Sequence, residues 1–498
     1  MSALLEGDAH DEALRRHVHP QDWTNPTPAG RYNLVIIGGG TAGLVAAAGA
    51  AGLGARVALV ERALLGGDCL NVGCVPSKAL IASSRVAQAV RTAAPYGVHA
   101  GSARVDFGEV MARVRSLRAG IAPHDSAARF RELGVDVFLG DARFVARDAV
   151  EVGGTRLRFS RALIATGGRA AVPPIPGLAE VPYLTNETVF TLTALPQRLV
   201  VLGGGPIGCE LAQAFARLGS RVHVVCDSGL LPREDPEAAG VVQRSLERDG
   251  VVLHLQTKVQ RVAAAAHREA ALQVQLEASA LACDALLVAT GRSPVMEGLG
   301  LDAAGVRAGP HGVEVDDHLR TSNPRIYAAG DICSRFKFTH AADALARVAL
   351  QNALFLGRKR ASALVIPWCT YTDPELAHVG LGAEEASKRP GTVTLTVPFS
   401  SVDRAVLEGE TEGFARVHVD AKSGRILGAT LVGAHAGESL GELVLAMTEG
   451  LSLGALASTV LPYPTRGEVV KKLGDAWNRR RLTPRTHGLL TRFLRLRR

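Results

Sequence analysis

Residues 32–43, YNLVIIGGGTAG, join a short apolar strand to three spaced glycines and the start of a helix. Gly38 is predicted to make the tight turn, Gly40 to let the backbone approach a pyrophosphate, and Gly43 to let the helix pack closely on the strand. Glu61 follows 18 residues after Gly43 and closes the next apolar run, where an acid accepts hydrogen bonds from a ribose. The stretch therefore predicts a dinucleotide-binding βαβ unit.

A second copy of this pattern starts at residues 199–208, LVVLGGGPIG, and is followed by another apolar strand at 221–225. Its spaced glycines are Gly203, Gly205 and Gly208. Each copy is followed at a distance by an apolar run that ends in Ala-Thr-Gly, at 165–167 and at 289–291. A last run of this kind, 325–331, ends in glycine and an acid. One chain thus carries two dinucleotide sites.

Two cysteines stand five residues apart in the segment 65–79, LGGDCLNVGCVPSKA. A regular helix would separate Cys69 from Cys74 by roughly 7.5 Å along its axis, more than the Cα separation of about 4.4 to 6.8 Å in a disulfide. The chain is therefore predicted to fold back at Asn71 and Gly73 before a helix starts near Cys74, whose thiolate that helix would favour. Taken alone, the pair is equally typical of a structural disulfide or of two buried free cysteines. The two nucleotide sites favour a redox-active disulfide facing a flavin.

The motifs occur in the order found in the pyridine nucleotide-disulfide oxidoreductases, and the chain resembles that family over roughly residues 32–475. The family includes dihydrolipoamide dehydrogenase, glutathione reductase and mercuric reductase. The resemblance implies that the first glycine motif and Glu61 bind the FAD adenosine, that Asp331 binds the flavin ribitol chain, and that residues 203–208 bind the nicotinamide nucleotide. The other cofactor-binding residues that it implies are Gly67, Thr166, Gly167, Gly291, Arg292 and Gly330.

The same resemblance implies roles for the residues of the electron relay. Cys69 matches the thiol that meets the substrate, and Cys74 matches the thiol that makes a charge-transfer contact with the flavin. Lys78 and Glu210 match a pair beside the flavin N5. Pairing is physically sensible because burying a lysine without a partner is costly. For Glu210 alone, an ordinary helix acid is the alternative.

The predicted fold is α/β, with two Rossmann-like dinucleotide-binding domains for FAD and NAD(P) and a C-terminal α+β dimerisation domain. A length of 498 residues agrees with about three domains. The last domain resembles the dimerisation domain of the family, which implies a homodimer. The predicted segments are an N-terminal extension at 1–31, an FAD domain at 32–190 and 292–362, an NAD(P) domain at 191–291, an interface domain at 363–475 and a basic tail at 476–498.

Cysteine usage and the N-terminus bear on the compartment. The seven cysteines are odd in number and do not form an even-numbered set typical of a disulfide framework, which fits a reducing environment. Residues 1–31 are polar and mixed in charge, and no run reaches the roughly 18 apolar residues of a membrane span. We therefore expect a cytoplasmic protein, and the sequence predicts no resident metal site.

The formal net charge of +8 belongs to the tail. Residues 479–498 hold eight arginines and no acid, and the rest of the chain has 48 basic and 48 acidic residues. On a helical wheel the apolar side chains of the tail share one side. Such a segment is compatible with weak contact to an anionic membrane surface, and a solvated or dimer-packed tail is the alternative. No nucleic-acid-binding motif accompanies it.

The choice of nicotinamide depends on the end of the second strand. Cys226 occupies the place of the expected acid, and Asp227 follows it. An acid near the ribose would repel a 2′-phosphate, and Gly208 keeps the third glycine, so both features favour NAD. Arg221 and Arg233 are near in sequence, which keeps NADP open.

The substrate depends on residues 461–468, LPYPTRGE. Family members that act on dithiols or disulfides usually have a histidine before this Pro-Thr and a glutamate four residues after the proline, contributed across the dimer. Here Tyr463 stands in place of the histidine and Glu468 keeps the glutamate. The tyrosine resembles mercuric reductase, although the N-terminal cysteine-pair domain and the adjacent C-terminal cysteines are missing. A structural role at the dimer interface is the alternative for Tyr463. The candidates for a replacement base are His340, His378, His418 and His435.

The sequence thus predicts a homodimeric FAD enzyme in which NAD(P)H reduces FAD and the Cys69–Cys74 pair carries electrons onward. The acceptor is expected to be a small molecule, either a thiol-bound metal ion or a disulfide. A dihydrolipoamide-type dehydrogenase is the alternative enzyme. A flavoprotein adaptor that docks to a partner or membrane through its basic tail is the alternative of another class, and the intact cysteine pair argues against it.

Overall fold

The computed structural model describes residues 7–28, 30–102, 104–265, 270–355 and 357–498. These residues form two compact units, one made of 1–227 with 251–364 and the other of 228–250 with 365–498. Both nucleotide-binding sheets lie in the first unit. The boundaries drawn between three domains from the sequence stay a prediction.

The helices and strands are numbered in chain order. The helices are α1 (Ala9–Val18), α2 (Thr41–Gly52), α3 (Gly67–Asn71), α4 (Cys74–Arg91), α5 (Phe107–Ile121), α6 (Ala127–Glu132), α7 (Pro206–Leu218), α8 (Pro236–Arg248), α9 (Leu301–Ala304), α10 (Thr339–Leu354), α11 (Ala383–Lys388), α12 (Asp403–Leu407), α13 (Ala436–Thr448), α14 (Leu453–Ala457), α15 (Glu468–Arg481) and α16 (Pro484–Arg495). The strands are β1 (Arg31–Ile37), β2 (Val57–Glu61), β3 (Val135–Leu139), β4 (Ala142–Ala146), β5 (Ala149–Val152), β6 (Thr155–Ile164), β7 (Gly168–Ala170), β8 (Arg198–Leu202), β9 (Arg221–Val225), β10 (Val252–His254), β11 (Val259–Ala264), β12 (Leu272–Leu276), β13 (Ala280–Cys283), β14 (Ala285–Val288), β15 (Arg292–Pro294), β16 (Ala308–Gly309), β17 (Gly312–Val313), β18 (Ile326–Ala328), β19 (Pro367–Thr370), β20 (Glu375–Gly380), β21 (Thr392–Pro398), β22 (Phe414–Asp420) and β23 (Ile426–Gly433).

The first sheet of the first unit has a parallel part in the order β3-β2-β1-β6-β18, to which β4 and β5 add an antiparallel hairpin beside β6. Its central strands are apolar on both faces because helices cover it, as parallel sheets require. Leu34 pairs with Val57 and with Arg161, which fixes the register of β1 between its neighbours. Helices α2 and α10 pack on each other beside this sheet.

The second sheet is parallel throughout, in the order β10-β9-β8-β14. Leu199, Val200 and Val201 of its central strand β8 are fully buried. Helix α7 follows β8 directly and connects it to β9, which makes a second βαβ unit. The predicted pair of Rossmann-like units is confirmed.

The second unit contains an antiparallel sheet in the order β19-β20-β23-β22-β21. Helix α13 contacts β20 and β23, α15 contacts β21 and β22, and α8 contacts β20 and β23. Leu443 of α13 and Leu473 of α15 are fully buried in the core of this unit. The predicted C-terminal α+β domain is confirmed.

The N-terminal segment that the sequence suggested was a polar extension contains helix α1. Asp8 caps it by accepting a hydrogen bond from the N–H of Asp11 at 2.8 Å, and Leu14 and Val18 are fully buried. The segment is therefore packed into the first unit. Among the described residues, no helix is both long and apolar enough to cross a membrane.

Candidate active site

The redox segment folds back between its two cysteines. Cys69 lies in the one-turn helix α3, the chain leaves that helix after Asn71, and α4 begins at Cys74 with Gly73 as its N-cap. The thiol of Cys69 is hydrogen-bonded to the sulfur of Cys74. The two sulfurs are thus close enough to exchange between a dithiol and a disulfide.

Cys74 is held in an environment that favours its thiolate. The hydrogen bond from Cys69 is the largest influence and lowers the pKa of Cys74 to about 6, with help from the Thr339 hydroxyl and the positive charge of Lys78. The Thr339 Oγ1 lies 3.3 Å from the Cys74 Sγ. The pKa of Cys69 is raised, first by its hydrogen bond to Cys74 and then by burial. The pair therefore holds one thiolate, at Cys74, and one thiol, at Cys69.

Lys78 and Glu210 form the ion pair that the resemblance implies. The Lys78 Nζ lies 2.7 Å from the Glu210 Oε2, and the Glu210 side chain is only 7% exposed. Lys78 lies one turn after Cys74 on α4, and Glu210 lies on α7, which packs against α4. Contact between these two helices places an acid of the second nucleotide-binding unit beside the redox segment.

This geometry predicts the pH dependence of Cys74 reactivity. In protein reduced with dithiothreitol, the rate of Cys74 alkylation by iodoacetamide should fall as the pH drops through about 6, because protonation removes the nucleophilic thiolate. An ordinary thiol loses its reactivity already below a pH of about 8.5. Residue-resolved mass spectrometry measures the rate. Lys78→Met should move the midpoint upward, and a midpoint near 8.5 in the unmodified protein would contradict the assignment.

The first glycine motif fits an FAD pyrophosphate. A Cβ on Gly38 would lie 2.3 Å from the carbonyl oxygen of Ala165, and one on Gly43 would lie 1.8 Å from the carbonyl oxygen of Gly38, so packing within the protein demands both glycines. Gly40 is different, because a Cβ added at this position would contact only the Cα of Gly67, at 3.6 Å. Helix α2 also has no acid in its first turn, which leaves its N-terminus free for a phosphate.

Glu61 lies at the end of β2, as expected for a ribose-binding acid. Its Oε2 accepts a hydrogen bond from the N–H of Gly39, and its Oε1 accepts one from the N–H of Ala63, both at 2.6 Å. Burial raises the pKa of Glu61, whereas these backbone donors oppose that effect. Each oxygen keeps a second lone pair for a ribose hydroxyl.

Arg292 joins two acids that the sequence placed far apart. Its Nε donates to the Asp331 Oδ2 at 3.0 Å, and its NH2 group pairs with Asp68 and donates to the carbonyl oxygen of Gly168 at 2.7 Å. Burial raises the pKa of Asp331, and Arg292 opposes that rise. Asp331 and Arg292 therefore form one polar cluster beside the redox segment, and a ribitol role for Asp331 stays a prediction.

The other predicted residues of the first nucleotide site lie at turns. The Thr166 hydroxyl donates to the carbonyl oxygen of Val295 at 2.8 Å. Gly167 and Gly330 have positive φ angles of 68° and 85°. All three follow the carboxyl ends of parallel strands, where ligands of open α/β sheets bind.

The second glycine motif has the same open space for a nucleotide. A Cβ on Gly205 would meet nothing within 4 Å, whereas one on Gly208 would lie 2.1 Å from the carbonyl oxygen of Gly203. Gly291 likewise faces open space. Cys226 is buried directly after β9, and Asp227 is exposed beside it. The structure thus leaves Asp227 accessible to a ribose.

Tyr463 and Glu468 belong to the second unit. Tyr463 is 72% exposed, and its hydroxyl donates to the Asp403 Oδ2 at 2.7 Å. That hydrogen bond raises the pKa of Tyr463, so the phenol stays protonated at neutral pH. Glu468 begins α15 with its Oε1 3.2 Å from the Lys472 Nζ, and its buried Oε2 has no hydrogen-bond partner among the described residues.

Two of the four candidate replacement bases are unsuitable. His378 and His418 are buried in the sheet of the second unit, and burial lowers the pKa of each. His435 is exposed, with its Nδ1 3.7 Å from Glu438. His340 is exposed and follows Thr339, the residue that contacts Cys74, which makes it the histidine to test first.

Sequence reasoning missed a buried polar connection between α1 and the redox segment. Arg118 of α5 is paired with Asp11 of α1, and each is 1% exposed. The same guanidinium donates to the carbonyl oxygen of Asn71, which lies between the two cysteines, at 2.9 Å. No local pattern signals this contact. The residues involved are separated by 47 and 107 positions along the chain.

Comparison with known proteins agrees with these features. A family model described as pyridine nucleotide-disulphide oxidoreductase matches residues 32–346, and its dimerisation-domain model matches residues 366–473. The chain is 35% identical to a mercuric reductase of Bacillus cereus over 88% of this chain and 70% of the relative. It is 34% identical to a dihydrolipoyl dehydrogenase of Chlorobaculum tepidum over 90% of this chain and 97% of the relative. It also resembles the solved Cu(II) complex of the HOCl-induced flavoprotein disulfide reductase RclA from Escherichia coli, with a TM-score of 0.80, 30% identity, and coverage of 88% of this chain and 99% of that one.

Proposed function

Since this chain belongs to the pyridine nucleotide-disulphide oxidoreductase family, whose members are FAD-dependent oxidoreductases that use NAD(P)H, we propose that it is a mercuric-reductase-like enzyme. In this proposal electrons pass from NAD(P)H to the Cys69–Cys74 pair and then to a thiol-bound metal ion. The observation that carries the choice of substrate is Tyr463, hydrogen-bonded to Asp403, in the place of the family histidine. A cytoplasmic location remains a prediction.

The residues around the redox pair have separate tasks. Bound FAD would supply hydride acceptance from the nicotinamide and electron delivery to a disulfide. Two electrons and two protons open the Cys69–Cys74 bond to two thiols, and the Cys74 proton then leaves because its pKa is about 6. Thr339 and Lys78 hold that thiolate, and Glu210 neutralises Lys78. Cys69, which is half-buried whereas Cys74 is exposed, is the thiol assigned to meet the acceptor, because Cys74 is held as the thiolate beside Thr339 and Lys78.

The absence of the family histidine at position 463 distinguishes between two classes of electron acceptor. Exchange with a disulfide or dithiol needs a base that forms the attacking thiolate and returns a proton to the leaving sulfur. An imidazole with a pKa near 6.5 fits that task at neutral pH, but a phenol near 10 does not. A metal ion that arrives bound to thiolates needs no such base. The Cu(II) complex of RclA shows that a structural relative holds a metal ion.

The nicotinamide is proposed to be NADH. Exposed Asp227 would accept hydrogen bonds from ribose hydroxyls and would repel a 2′-phosphate. The dimerisation-domain match supports a homodimer as the active form. Glu468, whose buried Oε2 has no hydrogen-bond partner in the described part of the chain, and Tyr463 are then proposed to act at the Cys69 of the other subunit.

A panel of acceptors tests the substrate. We expect NADH oxidation that depends on mercuric ion supplied with a small thiol, and turnover of dihydrolipoamide or glutathione disulfide well below about 10 per second. Tyr463→His should raise turnover with dihydrolipoamide, because it restores a base, whereas Tyr463→Phe should lower metal-dependent turnover. Stopped-flow measurement of NADH absorbance gives the turnover of the unmodified enzyme and of both variants.

His340→Gln is the matched control. If the unmodified enzyme turns over dihydrolipoamide at an ordinary rate and His340→Gln abolishes this, His340 is the base and the dehydrogenase assignment replaces ours. If protein that retains its FAD turns over none of the acceptors, the explanation becomes a flavoprotein adaptor without enzymatic activity.

A further inference from the structure

The C-terminal helix α16 stands apart from the core of its own unit. None of its 12 residues is buried in the described structure. The helix and its C-cap, Leu496, expose large apolar side chains at five positions, each between 47% and 81% accessible: Leu489, Leu490, Phe493, Leu494 and Leu496. A free helix with that much apolar surface needs a partner.

The sequence specifies this helix by its ends as well as by its pattern. Thr483 is the N-cap and accepts a hydrogen bond from the N–H of Thr486 at 3.2 Å, and Pro484 occupies the first turn. Arg492 and Arg495 lie in the last turn, where positive charge stabilises the helix dipole. Short isolated helices are only marginally stable in water, so an apolar partner would also stabilise this one.

The charges of the tail limit what that partner can be. Residues 479–498 carry eight arginines and no acid, although the rest of the chain is balanced. A second tail from a dimer would bring the same positive charge and be repelled. A nucleic acid would neutralise the arginines but leave the leucines in water. An anionic lipid surface satisfies both faces, because the apolar side chains enter the headgroup boundary while the arginines meet the phosphates.

We propose that α16 docks this protein on anionic membrane surfaces, with its axis in the plane of the interface. The inference goes beyond the proposed function, since none of the redox residues takes part in the docking. Arg479, Arg480 and Arg481, in the last turn of α15, add three positive charges just before α16 along the chain. Docking would place the enzyme at the membrane without a spanning segment.

Co-sedimentation of the full-length, FAD-loaded protein with vesicles tests this. We expect binding to vesicles that contain phosphatidylglycerol in phosphatidylcholine, and much weaker binding to pure phosphatidylcholine. Replacing Arg485, Arg492 and Arg495 together by glutamine should weaken binding about 100-fold, since each basic residue at such a surface contributes about five-fold. The matched control replaces the exposed residues Arg358, Lys359 and Arg360 by glutamine, which removes the same charge elsewhere and should leave binding unchanged.

The apolar face is tested separately. Phe493→Trp should keep binding and show a blue shift in tryptophan emission when anionic vesicles are added, whereas Leu490→Ser with Phe493→Ser should abolish pelleting. Binding that ignores lipid charge, or loss of binding in the control variant, would overturn the proposal. If the unmodified protein does not bind vesicles and Leu490→Ser changes the mass of the dimer in solution, the apolar face of α16 is a dimer contact and the proposal is wrong. NADH oxidation in solution is measured in parallel, so a failure of docking and a failure of the proposed function are distinguishable.

Discussion

Cys74→Ser should lower turnover with every acceptor by at least about 1,000-fold, the scale seen when a reacting side chain is removed. Serine cannot form a disulfide with Cys69, so electrons have no route beyond the cofactor. Cys69→Ser should lose turnover equally, because the acceptor then meets no thiol. NAD(P)H oxidation at saturating acceptor measures both effects.

The two variants should differ in their absorption spectra. In Cys69→Ser, the Cys74 thiolate should give long-wavelength charge-transfer absorption with bound flavin before any reductant is added, and in Cys74→Ser this absorption should be missing. Cys369→Ser is the control, because this cysteine is half-buried in the second unit. A charge-transfer band in Cys74→Ser would reverse the roles assigned to the two cysteines.

Arg118→Met should destabilise the protein by about 3 to 5 kcal/mol, because it removes the guanidinium that pairs with the buried Asp11 carboxylate. The same change removes the donor to the carbonyl oxygen of Asn71 and should therefore alter the alkylation rate of Cys74. Urea unfolding gives the free energy, and mass spectrometry gives the rate. Asp11→Leu combined with Arg118→Met should cost less than the sum of the two single changes.

The same helix offers a matched control. Arg16 and Glu12 form an exposed ion pair at 3.7 Å on α1, with side chains 78% and 54% accessible. Arg16→Met should therefore change the free energy of unfolding by less than about 1 kcal/mol. If Arg118→Met is as mild as Arg16→Met, the buried pair does not fasten α1 to the redox segment.

Local patterns predicted the parts of the site that depend on local geometry. The spacing of Gly38, Gly40 and Gly43 indicated strand, turn and helix, and those elements are present as β1 and α2. The reversal of the chain predicted at Asn71 and Gly73 is also present, with Gly73 as the N-cap of α4 at Cys74. Such features are set by backbone sterics over a few residues, and the sequence states them directly.

Contacts between distant segments could not be predicted in that way. Thr339 reaches Cys74 across 265 residues, and Asp403 reaches Tyr463 across 60. Both contacts depend on how strands order themselves within a sheet and on which helices then meet. A single sequence carries no periodic signal for either, because each involves one hydroxyl and one partner. Arg118 was missed for the same reason.

The two glycine turns of the first unit are built with matching hydrogen bonds. In the first, the N–H of Gly38 donates to the carbonyl oxygen of Val60 at 2.8 Å, and in the second, the N–H of Gly203 donates to that of Val225, also at 2.8 Å. The residues that follow these acceptors, Glu61 and Cys226, are therefore equivalent positions. The two βαβ units thus repeat one backbone arrangement.

The two copies agree at the glycine turn and differ at the end of the second strand. A Cβ on Gly203 would lie 2.4 Å from the carbonyl oxygen of Ala289. This turn, like the one at Gly38, therefore requires glycine. The strand-end position carries no such restriction, and there one copy has an acid and the other a cysteine. A change at residues 226–227, where we propose that the coenzyme ribose binds, would therefore leave the glycine turn unaltered.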